Sequence, residues 1–323
     1  MIIEKGELVF MENKEKISII IPTYNRCQYL KQLIQSIFNQ SYNNIELIVI
    51  NDNSTDDTDI YMKEVKKENS KITYIKNKKN KGPSYNRRIG YERAKGTYII
   101  FADDDDYYTD NNFFEKAVRV FEKKEFKDIA LVSGNVKRLD QGKKIFLDAD
   151  IGISGHINGI EYLSQLQLKY QKPYSTFTTL FKRDALENAK FNDLEMVNDA
   201  PIYMRALMAG DIYIMKDVIG VYREHSQNIS KSLPTDFLIA NIEEKRKIYK
   251  ILDSKDKRGK WCDWYIEQML GTIRYFLFFN KVPKQEFDRL YVWCIWSLDK
   301  KRWKFKLKMY KYRKQIKTMN GEK

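Results

Sequence analysis

Four short runs of aliphatic and β-branched residues, each closed by a polar cluster, constrain this chain more than any other feature. They are residues 16–21, 45–50, 72–75 and 97–101. Runs this apolar suit strands covered on both faces, as in a parallel sheet. Between them, Leu30, Leu33, Ile34, Ile37 and Phe38 recur at helical spacing, Asp56 and Asp57 lead a second helix, and a third runs through Ile89 and Ala94. Strand and helix alternating over short connections predict an α/β fold with a doubly wound, mostly parallel sheet of Rossmann-like type. Ligands of such sheets bind beyond the carboxyl ends of the strands. The polar clusters 22–26, 51–56 and 103–106 fall at those ends and are expected on one rim.

The last cluster is Asp103-Asp104-Asp105-Asp106, set between the strand at 97–101 and a helix carrying Phe113, Phe114, Val118 and Phe121. Asp110, Asn111 and Asn112 offer a cap for that helix. Four adjacent carboxylates disfavour one another's ionisation unless something positive compensates. A hard divalent cation, held by one or two carboxylates and completed by substrate phosphates, would do so. A solvated acidic turn capping a helix is the plain alternative.

Further strands are expected at 129–133, 212–215 and 218–222, and a helix after Asn198 and Asp199 that Gly210 ends. The division expected is a domain over 1–233, with a nucleotide-binding half at about 16–135 and an acceptor half at about 136–233. A helical extension over 234–323 follows. Cys27, Cys262 and Cys294 lie far apart, which suggests reduced thiols and neither a disulfide framework nor a zinc site. No apolar run is long enough to span a bilayer, and the amino terminus starts no secretory signal.

The net charge of +14 favours anionic partners. It concentrates in 300–318, where ten lysines and arginines meet no acid. Phe305, Met309, Tyr312 and Ile316 fall on one face of a helix there. Such a helix reads as a peripheral contact with an anionic membrane. Packing of the stripe on the preceding helices, with the lysines in water, is the other reading.

The ordered series Ile19-Ile20-Ile21-Pro22-Thr23-Tyr24-Asn25-Arg26, then Ile50-Asn51-Asp52-Asn53-Ser54-Thr55-Asp56, then Gly96-Thr97-Tyr98-Ile99 running into the acidic turn resembles family 2 glycosyltransferases across residues 16–230. The resemblance implies a GT-A fold that moves one sugar, with inversion, from a nucleoside-diphosphate sugar, most naturally UDP-linked. The acceptor would be a glycan or lipid-linked molecule in bacterial surface-polysaccharide synthesis, such as capsule or lipopolysaccharide. It implies Pro22, Thr23, Tyr24 and Arg26 against the nucleotide and Asp52 on the base. Asp103 and Asp104 would lie near the ribose and diphosphate, and Arg87 on the donor side. Asp105 would be the ligand of Mn²⁺ or Mg²⁺, with Asp103 as the alternative. Asp199 would be the general base, and Arg223 and His225 would belong to a loop closing on the diphosphate. The enzyme is then expected in the cytoplasm, at the inner face of the plasma membrane.

Three residues depart from the family's pattern: Asn51 and Asn198 stand where acids are common, and Arg88 where asparagine is. No Gln-x-x-Arg-Trp signature is present, which points to transfer of a single sugar. Two rivals remain at this stage. A sugar-nucleotide nucleotidyltransferase would want a glycine in the loop at 22–26, which has none. A basic nucleic-acid-binding protein would bring phosphates against the acidic rim, so no nucleic-acid partner is expected.

Overall fold

The computed structural model describes residues 2–4, 7–9, 15–225, 234–256, 259–279 and 283–319, with side chains of the last helix described as far as Tyr310. A short hairpin, β1 (Ile2–Glu4) and β2 (Glu7–Val9), comes first. The alternating core then runs β3 (Ile17–Thr23), α1 (Cys27–Phe38), β4 (Ile45–Asn51), α2 (Thr58–Glu68), β5 (Ile72–Lys76), α3 (Pro83–Arg93) and β6 (Tyr98–Phe101). After it come β7 (Tyr107–Tyr108), α4 (Phe113–Glu122), β8 (Ile129–Asp140), β9 (Ile145–Ala149), β10 (Gly155–Ile157) and α5 (Gly159–Gln165). The chain continues through β11 (Thr179–Lys182), α6 (Arg183–Asn188), α7 (Asp199–Ala209) and β12 (Asp211–Glu224). Four helices follow: α8 (Thr235–Lys255), α9 (Lys260–Phe279), α10 (Lys284–Ser297) and α11 (Arg302–Met319).

One sheet runs β10-β12-β8-β11-β6-β3-β4-β5, with β7 on β12 and β9 on β8. The pairs β3–β4, β3–β6, β4–β5 and β8–β12 are parallel. β11 lies antiparallel between β6 and β8, so those two point the same way without touching. The strands that end in polar clusters therefore all open onto one rim. Side chains alternate across the sheet: Ile19, Ile21, Leu47 and Val49 pack with α1 and α4, while Ile20, Ile48 and Ile50 pack with α3, α7 and the carboxyl-terminal helices. Gly90 of α3 allows one such approach, since a Cβ there would fall 2.3 Å from Ile20 Cγ2.

Several local expectations change. The segments 212–215 and 218–222 belong to one strand, β12, whose pairing with β8 shifts register between Ile214 and Val218. A bulge absorbs the residues that read as a break. At α4 the cap residue Asn112 makes no side-chain cap bond. Asp110 instead accepts the Asn112 N–H at 2.9 Å and pairs with Lys116 at 2.7 Å.

The carboxyl-terminal helices are built into the main core. Trp264 Nε1 donates to the Leu163 carbonyl at 2.9 Å, and Gln268 Nε2 to that of Leu166 at 2.7 Å. Of the apolar stripe left open between membrane and packing, Phe305 and Met309 are both 0 % exposed, and Phe305 stacks on Tyr291, as the packing reading expects. The side chains of Tyr312 and Ile316 lie outside the described residues. Neighbouring lysines meet acids across the fold: Lys301 and Lys304 pair with Asp263 at 3.0 and 2.8 Å, Lys300 with Asp253 at 2.7 Å, and Lys308 with Glu267. Among the described residues no helix is long and apolar enough to cross a membrane, and the three cysteines are buried and free.

Candidate active site

Beyond the carboxyl ends of β3, β4 and β6 lies a cavity of about 740 Å³. Pro22, Thr23, Tyr24, Arg26, Asp52, Arg87, Asp103, Asp104, Asp105 and Asp199 all line it. Loops separated by up to 177 residues thus meet at one place, as parallel strands ending on a common rim require.

At one end, the buried Asp52 carboxylate organises the loop after β5. Its Oδ1 accepts from Asn77 Nδ2 and the Lys81 N–H, and its Oδ2 from the Gly82 N–H, all at 2.8 Å. A carboxylate oxygen takes two donors, so Oδ2 retains room for another. Tyr24 stands exposed beside it. Asn51 has a physical reason to be neutral. The Tyr74 hydroxyl donates to Asp59, so it must accept from residue 51, and Asn51 Nδ2 donates to it at 2.8 Å. A carboxylate could not.

The acidic turn divides its charge. Arg26 Nη1 reaches Asp104 at 3.0 Å and Asp105 at 2.8 Å, and His225 Nε2 lies 2.9 Å from Asp105 Oδ2. Burial opposes ionisation of Asp105, but His225 and Arg26 outweigh it and hold its carboxyl below the usual carboxylate range. Burial and the adjacent Asp105 push Asp104 up to about 7. Burial, with Asp105 and Asp103 nearby, raises Asp106 well above the ordinary value. Asp106 faces inward and accepts the Arg223 N–H at 3.0 Å.

Arg223 itself sits behind the turn and not in the cavity lining. Its guanidinium lies over the rings of Tyr29 and Tyr107, at 4.8 and 4.5 Å, and donates to the Asp105 carbonyl and to Gln32. His225 stacks on Tyr29. The residues that follow it, 226–233, lie outside the described set.

At the other end, Asp199 is the first residue of α7, and Asn198 takes the cap position. The Asp199 carboxylate is therefore not a cap. Arg87 Nη2 and Lys172 Nζ flank it, each at 3.4 Å. Arg87, buried, also bonds Asp103 at 2.5 Å and the Val197 carbonyl at 3.3 Å, joining the acidic turn to the Asp199 loop. Arg88 fixes that loop from behind through the carbonyls of Asn192 and Leu194. Helix α8 forms a wall here. Phe237, Asn241 and Glu244 share one helical face. Glu244 accepts the Glu195 N–H at 2.8 Å, while Phe237 and Asn241 line the cavity.

Sequence reasoning missed Lys172, Tyr222, Phe237 and Asn241. Lys172 lies in an irregular segment, held over the Tyr203 ring at 5.2 Å, and the α8 residues come from a segment with no motif of its own.

Among the described residues no group of three or more His, Cys, Asp or Glu side chains could hold a metal alone. Asp105, which lines the cavity, nevertheless suits a Mg²⁺ or Mn²⁺ ion completed by phosphate oxygens and water, whereas His225 is not in the lining.

The profile described as Glycosyl transferase family 2 matches residues 18–188, just over half of the 323-residue chain. The GalNAc(5)-diNAcBac-PP-undecaprenol beta-1,3-glucosyltransferase of Campylobacter jejuni is 29% identical over 223 residues, 67% of this chain and 68% of that protein. An uncharacterized glycosyltransferase of Haemophilus influenzae is 33% identical over 184 residues, 57% of this chain and 68% of its own. The structure of S. aureus TarS 1-349 in complex with UDP-GlcNAc superposes with a TM-score of 0.67 at 19% identity, covering 88% of this chain and 81% of that one. The mannosyltransferase PcManGT from Pyrobaculum calidifontis, in complex with GDP-Man and Mn2+, superposes with a TM-score of 0.52 at 13% identity, covering 97% and 89%. These structural likenesses carry the fold, a GT-A-like sheet flanked by helices.

Proposed function

The chain belongs to glycosyltransferase family 2, and from that premise we propose that it moves one sugar from a UDP-sugar to a lipid-linked or glycan acceptor, with inversion, in surface-polysaccharide synthesis. The observation that carries the reading is the meeting of Tyr24, Asp52, Asp105 and Asp199 around a single cavity. The Campylobacter relative acts on an undecaprenol-linked glycan, which supports the acceptor class. TarS was captured with UDP-GlcNAc, which supports the donor class.

In this reading Tyr24 covers the base, Asp52 Oδ2 accepts its imide N–H, and Arg26 and Arg87 keep the acidic turn from repelling the diphosphate. Asp199 takes the proton of the acceptor hydroxyl as that oxygen bonds to the anomeric carbon. The bond from that carbon to the diphosphate breaks on the opposite face, and its electron pair leaves with UDP. Arg87 and Lys172 hold the Asp199 carboxylate in place beside the acceptor. A divalent ion held by Asp105, with Asp103 as a further ligand and His225 bonded to the Asp105 carboxylate, would neutralise charge on the departing diphosphate. Phe237 and Asn241, on the Asp199 side, line the acceptor end. Arg223 acts on the donor by fixing the main chain of the acidic turn. The domain covers residues 1–233, and 234–323 is an extension that completes its acceptor wall. Segment 300–318 brings the enzyme to an anionic membrane at its cytoplasmic side.

A panel of nucleotide sugars with Mn²⁺ or Mg²⁺, read as released nucleotide, tests this. Asp105→Ala should lose metal-dependent donor binding, whereas Asp199→Asn should bind donor and lose transfer. A wild-type protein that turns over no nucleotide sugar with either ion refutes the reading.

A further inference from the structure

Burial of Phe305 and Met309 leaves the opposite face of α11 outward. There Trp303, Leu307 and Tyr310 follow one another at i, i+4 and i+7, with Trp303 68% and Tyr310 69% exposed. Helix α10 adds Val292 and Trp296, one turn apart, with Trp296 73% exposed. The Arg302 guanidinium lies 5.9 Å over the Trp296 ring and so ties the two rows together. Scattered surface aromatics are ordinary, but an apolar patch rimmed by polar groups marks a contact.

Most of the cations near this face are already matched by acids. Lys300, Lys301, Lys304 and Lys308 are paired with Asp253, Asp263 and Glu267 on α8 and α9. Arg302 and Lys306 stand exposed next to the aromatic row. Exposed tryptophan and tyrosine with cations between them suit the headgroup level of a bilayer, where amphipathic rings settle and basic groups meet anionic lipid.

We propose that the protein docks on an anionic bilayer through Val292, Trp296, Trp303, Leu307 and Tyr310, with Arg302 and Lys306 on the headgroups. This rests on the membrane contact included in the proposed function and replaces the buried Phe305 stripe as its surface. The lysines paired to α8 and α9 hold α11 in place and do not serve as lipid ligands.

The test is flotation of the full chain with vesicles of phosphatidylcholine alone or mixed with phosphatidylglycerol. Wild type should float with the mixed vesicles, and Trp296→Ser/Trp303→Ser should bind about tenfold more weakly. Phe146→Ser, which alters an exposed side chain of β9, should bind like wild type, and all three should keep the same affinity for UDP. Equal flotation of wild type and the double variant overturns the docking face while membrane contact stands. Wild type that floats with neither vesicle removes both. A double variant that turns a dimer into a monomer on gel filtration, with flotation unchanged, assigns the face to a second copy of the chain and also overturns the proposal.

Discussion

His225 Nε2 lies 2.9 Å from Asp105 Oδ2, joining the end of β12 to the acidic turn across 120 residues. The contact orients the one carboxylate of that turn whose pKa is lowered among the described residues, as a neighbour of a metal ligand does. His225→Ala is expected to raise the Mn²⁺ concentration for half-maximal activity by about 10–100-fold. A metal titration of donor turnover checks this, and an unchanged midpoint would restrict His225 to packing on Tyr29.

Arg87 bridges Asp103 and Asp199 from a buried position. Removing the buried guanidinium leaves the partly exposed Asp103 and Asp199 carboxylates without their cation, at a cost of about 1–3 kcal/mol. Arg87→Ala should therefore lower the unfolding free energy by about that much and abolish transfer. Urea unfolding beside donor turnover would test it, and a loss under about 1 kcal/mol would contradict the bridging role.

Gly90 lies one turn from Arg87, where an added Cβ would meet Ile20 Cγ2 at 2.3 Å. Gly90→Ala should force α3 away from β3, destabilise the protein by about 1–3 kcal/mol and weaken donor binding. Thermal melts with and without UDP report both effects.

Lys245 of α8 is buried, and its ammonium reaches the Thr272 hydroxyl at 2.7 Å. Burial alone pulls its pKa down to about 7. From that value up to 10.5 the unfolded chain binds a proton that the native state does not, so stability rises with pH through this window. Lys245→Met should stabilise the protein at neutral pH, by on the order of 3 kcal/mol, and flatten that slope. Urea midpoints at several pH values decide it.

The alternation of β3, β4, β5 and β6 with helices was legible because apolar strands closed by polar residues carry their own period and punctuation. Convergence of Tyr24, Asp52 and Asp105 followed from parallel topology alone. The insertion of β11 between β6 and β8 was not legible, since four residues such as Thr179–Lys182 carry no sign of which neighbours they pair with. Residue spacing showed that α11 has an apolar stripe but not which way it faces. The acids that neutralise its lysines, Asp253, Asp263 and Glu267, are distant in sequence. Lys172 and Phe237 escaped for the same reason: their place at the site is set by tertiary packing.

The central claim is that one cavity holds both nucleotide and diphosphate, and a crystal structure with UDP and Mn²⁺ soaked in tests it most directly. The account expects uracil between Tyr24 and Asp52, with the diphosphate and ion against Asp105. Nucleotide density elsewhere on the protein, or an ion bound away from Asp105, would contradict it.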